Sequence, residues 1–130
     1  MKINIKNRNT GAIIFSRDAE GNTLKVTIEK AVSVRADLGG ADLHGAYLDG
    51  KTLVGKRPIL QIGPVGSRSD YLIAYLTDAG IYITAGCFHG TRDEFAARVR
   101  ETHGENEHGN EYAAALAMID AHAKLWTPAI

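Results

Sequence analysis

The chain has 130 residues, of which 45% are hydrophobic and 23% charged, and its fifteen basic side chains are balanced by fifteen acidic ones. A length of this order suits one domain with one core, and the composition excludes a disordered or fibrous chain. A formal net charge of zero argues against a nucleic-acid partner, because neutralising a phosphate backbone needs a clear basic excess.

The charges are unevenly spread: residues 1–35 carry seven cations against three carboxylates, and residues 87–130 carry four against seven. Opposite signs at the two ends favour head-to-tail contact, within the chain or between copies. No apolar run approaches the roughly 20 residues of a membrane span, and Met1-Lys2-Ile3-Asn4-Ile5-Lys6 lacks the apolar stretch of a secretory signal. Cys87 is the single cysteine, which leaves no intrachain disulfide and no multi-thiolate zinc site. These features together lead us to expect a cytoplasmic protein with no membrane partner.

Residues 1–7 alternate, with Ile3 and Ile5 on one side and Lys2, Asn4 and Lys6 on the other, the two-residue period of a half-buried strand. Residues 7–11 hold turn chemistry and residues 12–15 a second short strand, which together predict a hairpin. Residues 22–34 read two ways. Leu24, Val26 and Ile28 alternate like a strand, whereas Leu24, Ile28, Ala31 and Arg35 follow helical spacing; length and the Glu29-Lys30-Ala31 composition favour the helix.

Residues 36–55 repeat with a period of five in four units: Ala36-Asp37-Leu38-Gly39-Gly40, Ala41-Asp42-Leu43-His44-Gly45, Ala46-Tyr47-Leu48-Asp49-Gly50 and Lys51-Thr52-Leu53-Val54-Gly55. Leucine recurs at 38, 43, 48 and 53, and glycine at 40, 45, 50 and 55. Two superposed series of this kind do not come from the 3.6-residue period of a helix. The pattern resembles the pentapeptide-repeat family, whose units read A(D/N)LxX. The resemblance implies one turn of a right-handed β-helix with four five-residue faces. Leu38, Leu43, Leu48 and Leu53 would point inward, and Ala36, Ala41 and Ala46 would line a narrow interior. Lys51 departs from the pattern, and an ammonium does not stay unpaired in so narrow a space, so the coil is expected to open there. One turn also falls short of the about three stacked units a solenoid needs. The segment therefore reads as an inserted building element whose backbone is satisfied by flanking strands.

Downstream, residues 58–62 form a strand, 63–69 a loop, 71–76 a central strand, 77–80 a turn and 81–85 an antiparallel partner, a meander of three strands. Thr91-Arg92-Asp93-Glu94 is a capping box that opens a short helix, with Phe95 and Val99 on its apolar side and His103-Gly104 as its stop. Residues 111–126 form a second helix. Tyr112, Leu116, Ile119, Ala123 and Trp126 lie on one stripe, with Ala115, Met118, His122 and Leu125 beside it, a face wide enough to cover a sheet or a partner subunit. The expected fold class is α+β: a single domain over residues 1–130, with an antiparallel sheet, one pentapeptide-repeat coil and two C-terminal helices.

Candidate ligand-binding residues sit on the loops after the repeat. Gly66, Ser67 and Arg68 belong to a loop that reads either as a tight turn with a surface arginine or as a cradle whose amides and guanidinium hold an anion. No GxxxxGK[ST] or GxGxxG opens a helix there, so no nucleotide-binding fingerprint is present. His103, Asn106 and His108 lie in a polar helix connection with donors and acceptors suited to ribose or base edges. Tyr71 and Tyr75 share one face of a strand, where they either pack in the core or stack on a base. His89 and Arg92 complete the candidate set. The spacings of Cys87 with His89, and of His103 with His108, match no standard zinc arrangement, so neither metal nor cofactor is expected. Cys87 reads more simply as a small buried thiol than as a nucleophile.

The hairpin and short repeat are followed by Gln61-Ile62-Gly63-Pro64-Val65-Gly66-Ser67-Arg68, Ala85-Gly86-Cys87-Phe88-His89-Gly90-Thr91 and Thr102-His103-Gly104. Together these resemble small proteins encoded by bacteriophages and prophages, over nearly the full chain. The resemblance carries no established catalytic residue and implies the cytoplasm of a bacterial host. Small phage proteins of this size often act against host defence, either by sequestering a nucleotide immune signal or by blocking a host protein. The leading expectation is a homo-oligomer that sequesters a small anionic nucleotide-like ligand without catalysis. Two alternatives stay open. One is an inhibitor of a host factor acting through the repeat surface, where Asp37, Asp42 and Asp49 give three carboxylates over an axial rise of about 5 Å. The other is a nucleotide-cleaving enzyme with His89 or His103 as general base.

Overall fold

The computed structural model describes residues 1–34, 36–38, 40–48, 50–55, 57–66, 70–85 and 88–126. β1 (Lys2–Lys6) and β2 (Ile13–Asp18) form the expected hairpin. Its turn is held by Asn7, whose Oδ1 accepts from the amides of Asn9 and Thr10 at 2.8 and 3.1 Å, the local bonding that makes asparagine a turn residue. Ile5 is buried and Ile3 half-buried, while Lys2, Asn4 and Lys6 are exposed, in keeping with the period of two. α1 (Leu24–Ser33) settles the ambiguous segment as a helix. Thr23 caps it by accepting from the Val26 amide at 3.2 Å, and Ile28, Ala31 and Val32 bury one side of it.

The five-residue repeat takes a different path from the expected coil: its described residues form no closed or solenoid sheet. The second half is a local hairpin, with β3 (Tyr47–Leu48) antiparallel to β4 (Lys51–Thr52). That pair is extended by Gly45 N–H to Leu53 O at 2.7 Å and Leu53 N–H to Ala46 O at 2.8 Å. The first half is stitched to the N-terminal hairpin, where Asp42 N–H donates to Lys6 O at 2.7 Å and Arg8 N–H to Gly40 O at 2.9 Å. The reason is the one that limits short solenoids: a single turn has no neighbour of its own kind, so its peptide groups pair with whatever lies beside them. Leu38, Leu43 and Leu53 are all buried, while the Leu48 side chain lies outside the described part. Lys51 is half-buried, with its ammonium 4.3 Å from the Tyr82 ring centroid, a cation–π contact that compensates the charge.

β5 (Ile59–Val65), β6 (Asp70–Thr77), β7 (Gly80–Ala85) and β8 (Phe88–Thr91) make a four-stranded antiparallel sheet in that spatial order. This is one strand more than the meander expected. One sheet face, through Ile59, Ile73 and Tyr75, packs on the N-terminal half in a core with Ile5, Ile28, Leu38, Leu43 and Leu53. The other, through Leu72, Ala74 and Ile83, packs on α2 (Arg92–Thr102) and α3 (Glu107–Trp126) by way of Phe95, Val99, Leu116 and Ile119. The sheet is thus the middle of three layers in an α+β architecture.

The capping box of α2 is in place: Glu94 N–H donates to Thr91 Oγ1 at 3.1 Å and Thr91 N–H to Glu94 Oε1 at 2.9 Å. The Thr91 amide, followed by its hydroxyl, holds the Glu94 carboxyl below the ordinary glutamate range. α3 starts one turn earlier than the apolar stripe indicates, because Asn106 Oδ1 accepts from the Gly109 amide at 2.9 Å and caps it. Met118 and Leu125, on the flank of that stripe, are 53% and 72% exposed. Among the described residues no helix is long and apolar enough to cross a membrane.

Candidate functional site

β5 is an edge strand, and a cleft of about 380 Å³ runs beside it. Gln61 fixes the wall on the repeat side. Its Nε2 donates to Ala36 O at 2.7 Å and its Oε1 accepts from Leu38 N–H at 2.8 Å, so one side-chain amide does for that segment what a neighbouring strand's peptide would do. Ala36 and Asp37 then border the cleft.

The opposite wall comes from the end of α3. His122 Nε2 donates to Arg57 O at 2.8 Å, which ties the helix to the residue just ahead of β5 and, in a neutral ring, leaves Nδ1 as the acceptor. The Arg57 guanidinium carbon lies 4.8 Å from the Trp126 ring centroid, well inside the range of about 6 Å for a cation–π contact. The contact holds the guanidinium at the end of α3, where Arg57 and Trp126 both line the cleft. Arg57 Nε is buried and has no hydrogen-bond partner among the described residues. A buried donor left so costs about 1–3 kcal/mol, and native proteins keep few of them without a reason. Tyr71, half-buried on β6, adds an aromatic ring to the lining.

Of the candidate ligand-binding residues named from the sequence, Tyr71 alone borders this cleft. A second group gathers where the β5–β6 turn meets the α2–α3 corner. Gly66 is buried at φ +78°, and its amide donates to Glu111 Oε1. A Cβ at this position would come within 1.9 Å of the Tyr112 hydroxyl. The Tyr112 ring stacks on His103 with centroids 5.7 Å apart and meets Phe95 edge-on at 5.5 Å, and His103 meets His108 at 5.6 Å. Asn106 caps α3 in the same corner. Gly66, His103, Asn106 and His108 are therefore brought together, and the contacts they make join the turn to the corner. Ser67 and Arg68, expected to hold the anion, lie outside the described residues, as does Cys87.

Arg92 and His89 stand apart from both groups. Arg92 forks onto Asp120, with Nε and Nη2 donating at 3.1 and 2.7 Å, and the hydrogen bonds to Asp120 push its pKa up. This pair links the start of α2 to α3. His89 Nδ1 lies 2.9 Å from Thr84 Oγ1, across the β7–β8 pair. Tyr75 is on the same sheet face, buried, with a hydroxyl that makes no bond of good geometry although Thr84 lies beside it. Burial pushes its phenol above the ordinary tyrosine range.

Sequence reasoning missed Arg57, Gln61, His122 and Trp126. The available signals were a Lys56-Arg57 pair directly ahead of a strand and the single tryptophan at a helix end, but their meeting is tertiary and leaves no local period. Among the described residues no three His, Cys, Asp or Glu side chains group to hold a metal ion. Compared with protein-family models, curated proteins and solved structures, the chain matches none of them.

Proposed function

We propose that the protein binds, without altering it, a small anionic ligand with a planar ring, of the nucleotide type, in the cleft beside β5. The observation that carries this reading is the Arg57 guanidinium held against Trp126 at the border of the cleft. An arginine fork meets phosphate or carboxylate through charge-assisted bonds roughly twice as strong as neutral ones. The cleft volume of about 380 Å³ lies near the lower end of the roughly 300–1,000 Å³ typical of small-molecule sites, which suits a mononucleotide. Tyr71 and Trp126 offer apolar ring surface for a base. His122 uses its Nε2 on Arg57 O, so it serves as a positioning group for the arginine.

On this reading the five-residue repeat is scaffold. It walls the cleft through Ala36 and Asp37, whatever its kinship to longer pentapeptide-repeat coils. The protein acts as a sink for an anionic signal nucleotide in a bacterial host, as the resemblance to phage-encoded proteins implies. The exposed Met118 and Leu125 of α3 provide apolar surface for self-association.

The test incubates purified protein with mononucleotides, cyclic nucleotides and ADP-ribose derivatives, measures binding by calorimetry, and identifies the ligand after heat release. Intact ligand recovered in stoichiometric amount supports sequestration. Chemically altered ligand replaces it with the nucleotide-cleaving reading, and absence of binding at micromolar protein moves the function to a protein partner.

A further inference from the structure

Within an antiparallel pair the N–H and C=O of each residue point to the same side, alternately toward the partner strand and away from it. Leu76 N–H donates to Pro58 O at 2.8 Å, and in the same register Leu60 lies opposite Ala74 and Ile62 opposite Leu72. Pro58, Leu60 and Ile62 therefore turn their peptide groups to β6. Ile59 and Gln61 turn theirs outward, and because β5 is the edge strand no further strand among the described residues meets them; Ile59 is only 3% exposed, so the half-buried Gln61 presents the reachable pair. Both residues border the cleft. The Gln61 side chain is already engaged with Ala36 and Leu38, and among the described residues no loop backbone or side chain bonds to the outward peptide groups.

An open strand edge is a template for any partner that presents a donor and an acceptor side by side in one plane. A nucleobase does this along its pairing edge. We infer that the outward N–H and C=O of Gln61 read the base of the bound nucleotide at that edge while Arg57 holds its phosphate. This rests on the nucleotide-type reading of the cleft and goes beyond it by assigning the base-recognition element. The spacing fits: four residues of strand separate Arg57 from this pair, roughly 13 Å, the scale of a mononucleotide from phosphate to base edge. Affinity is then set at the base by the backbone, so a ribose phosphate without a base binds poorly.

The experiment is a calorimetric titration of the wild-type protein with uridine and guanosine monophosphates. Each is compared with its analogue methylated on the ring nitrogen of the pairing edge, with an analogue methylated on a ring carbon away from it, and with ribose 5-phosphate. Edge methylation is expected to weaken binding about tenfold, the loss of one to two neutral hydrogen bonds, while carbon methylation leaves affinity within about twofold. Gln61→Pro, which deletes an outward N–H that an edge strand does not need for its ladder, is expected to bind several-fold more weakly than Gln61→Ala, which deletes only the side-chain clamp. Equal affinity for edge-methylated and unmodified nucleotides, or ribose 5-phosphate binding as tightly as either, overturns base reading by β5 and leaves anion binding at Arg57 standing. Binding of none of these probes overturns the nucleotide reading and this inference together.

Discussion

Replacing Gly66 by alanine tests how the β5–β6 turn is seated. The position has φ +78°, where an L residue with a side chain costs about 1–2 kcal/mol. The added Cβ would lie 1.9 Å from the Tyr112 hydroxyl, 2.1 Å from Cζ and 2.7 Å from Cε2. Tyr112 has no easy retreat, because its ring is packed between Phe95 and His103, and overpacking of this kind costs about 1–3 kcal/mol. The two contributions together come to about 2–5 kcal/mol, a large share of the roughly 5–15 kcal/mol that holds a domain of this kind. Urea unfolding followed by the fluorescence of the single tryptophan, Trp126, reads this as a midpoint lowered by about 1–3 M at an ordinary slope. In a Tyr112→Ala background the same change should cost only its backbone share. A Gly66→Ala variant within about 0.5 kcal/mol of wild type, the range of an ordinary surface substitution, would mean that the turn does not rest on Tyr112.

Gln61→Ala removes both bonds that hold residues 36–38 on β5 and is expected to cost about 1–3 kcal/mol in the same urea assay; an unchanged midpoint would show that the clamp is dispensable. The Glu94 carboxyl has its folded pKa lowered by the Thr91 amide and hydroxyl. Its contribution is therefore fully present above the ordinary glutamate pKa and is lost as the pH falls through the lower folded value. The melting temperature of wild type should accordingly exceed that of Glu94→Gln near neutral pH, with the gap closing as the pH falls below the ordinary glutamate range and through the folded value; a constant gap would assign the difference to packing. Asp120→Asn breaks an Arg92 fork that is partly exposed on both sides, so a loss of no more than about 1 kcal/mol is expected in thermal melts, shrinking in high salt.

Local signals carried furthest. The alternation of Ile3 and Ile5 marked a strand that buries Ile5, and Thr91 with Glu94 marked the start of α2 to the residue, because both depend on neighbours within one turn of chain. The leucine and glycine series of residues 36–55 was plain as a period, and three of its leucines are buried. Its path was not legible, since the pairing of a single repeat turn is decided by which peptide groups lie next to it in space, here those of Lys6, Arg8 and Leu76. β8 escaped notice because four residues, Phe-His-Gly-Thr, are too few to show a period of two. At the site, Tyr71 was found for its strand face, whereas Arg57, Gln61, His122 and Trp126 converge only through sheet order and the docking of α3. His103, His108 and Asn106 lie together in one corner, and the polar character that suggested a ligand there also serves helix capping and ring packing.

The central claim is that the Arg57 guanidinium, held on Trp126, takes the anionic group of a nucleotide. Calorimetric dissociation constants for one mononucleotide, measured on wild type, Arg57→Lys and Arg57→Ala with near-ultraviolet circular dichroism confirming the fold, test it most directly. Losing a charged hydrogen-bond donor costs about 1.5–3 kcal/mol, so Arg57→Ala should bind about 10- to 150-fold more weakly. Arg57→Lys, which keeps the charge but not the fork or the stack, should recover only part of that. A folded Arg57→Ala protein with the affinity of wild type would contradict the account.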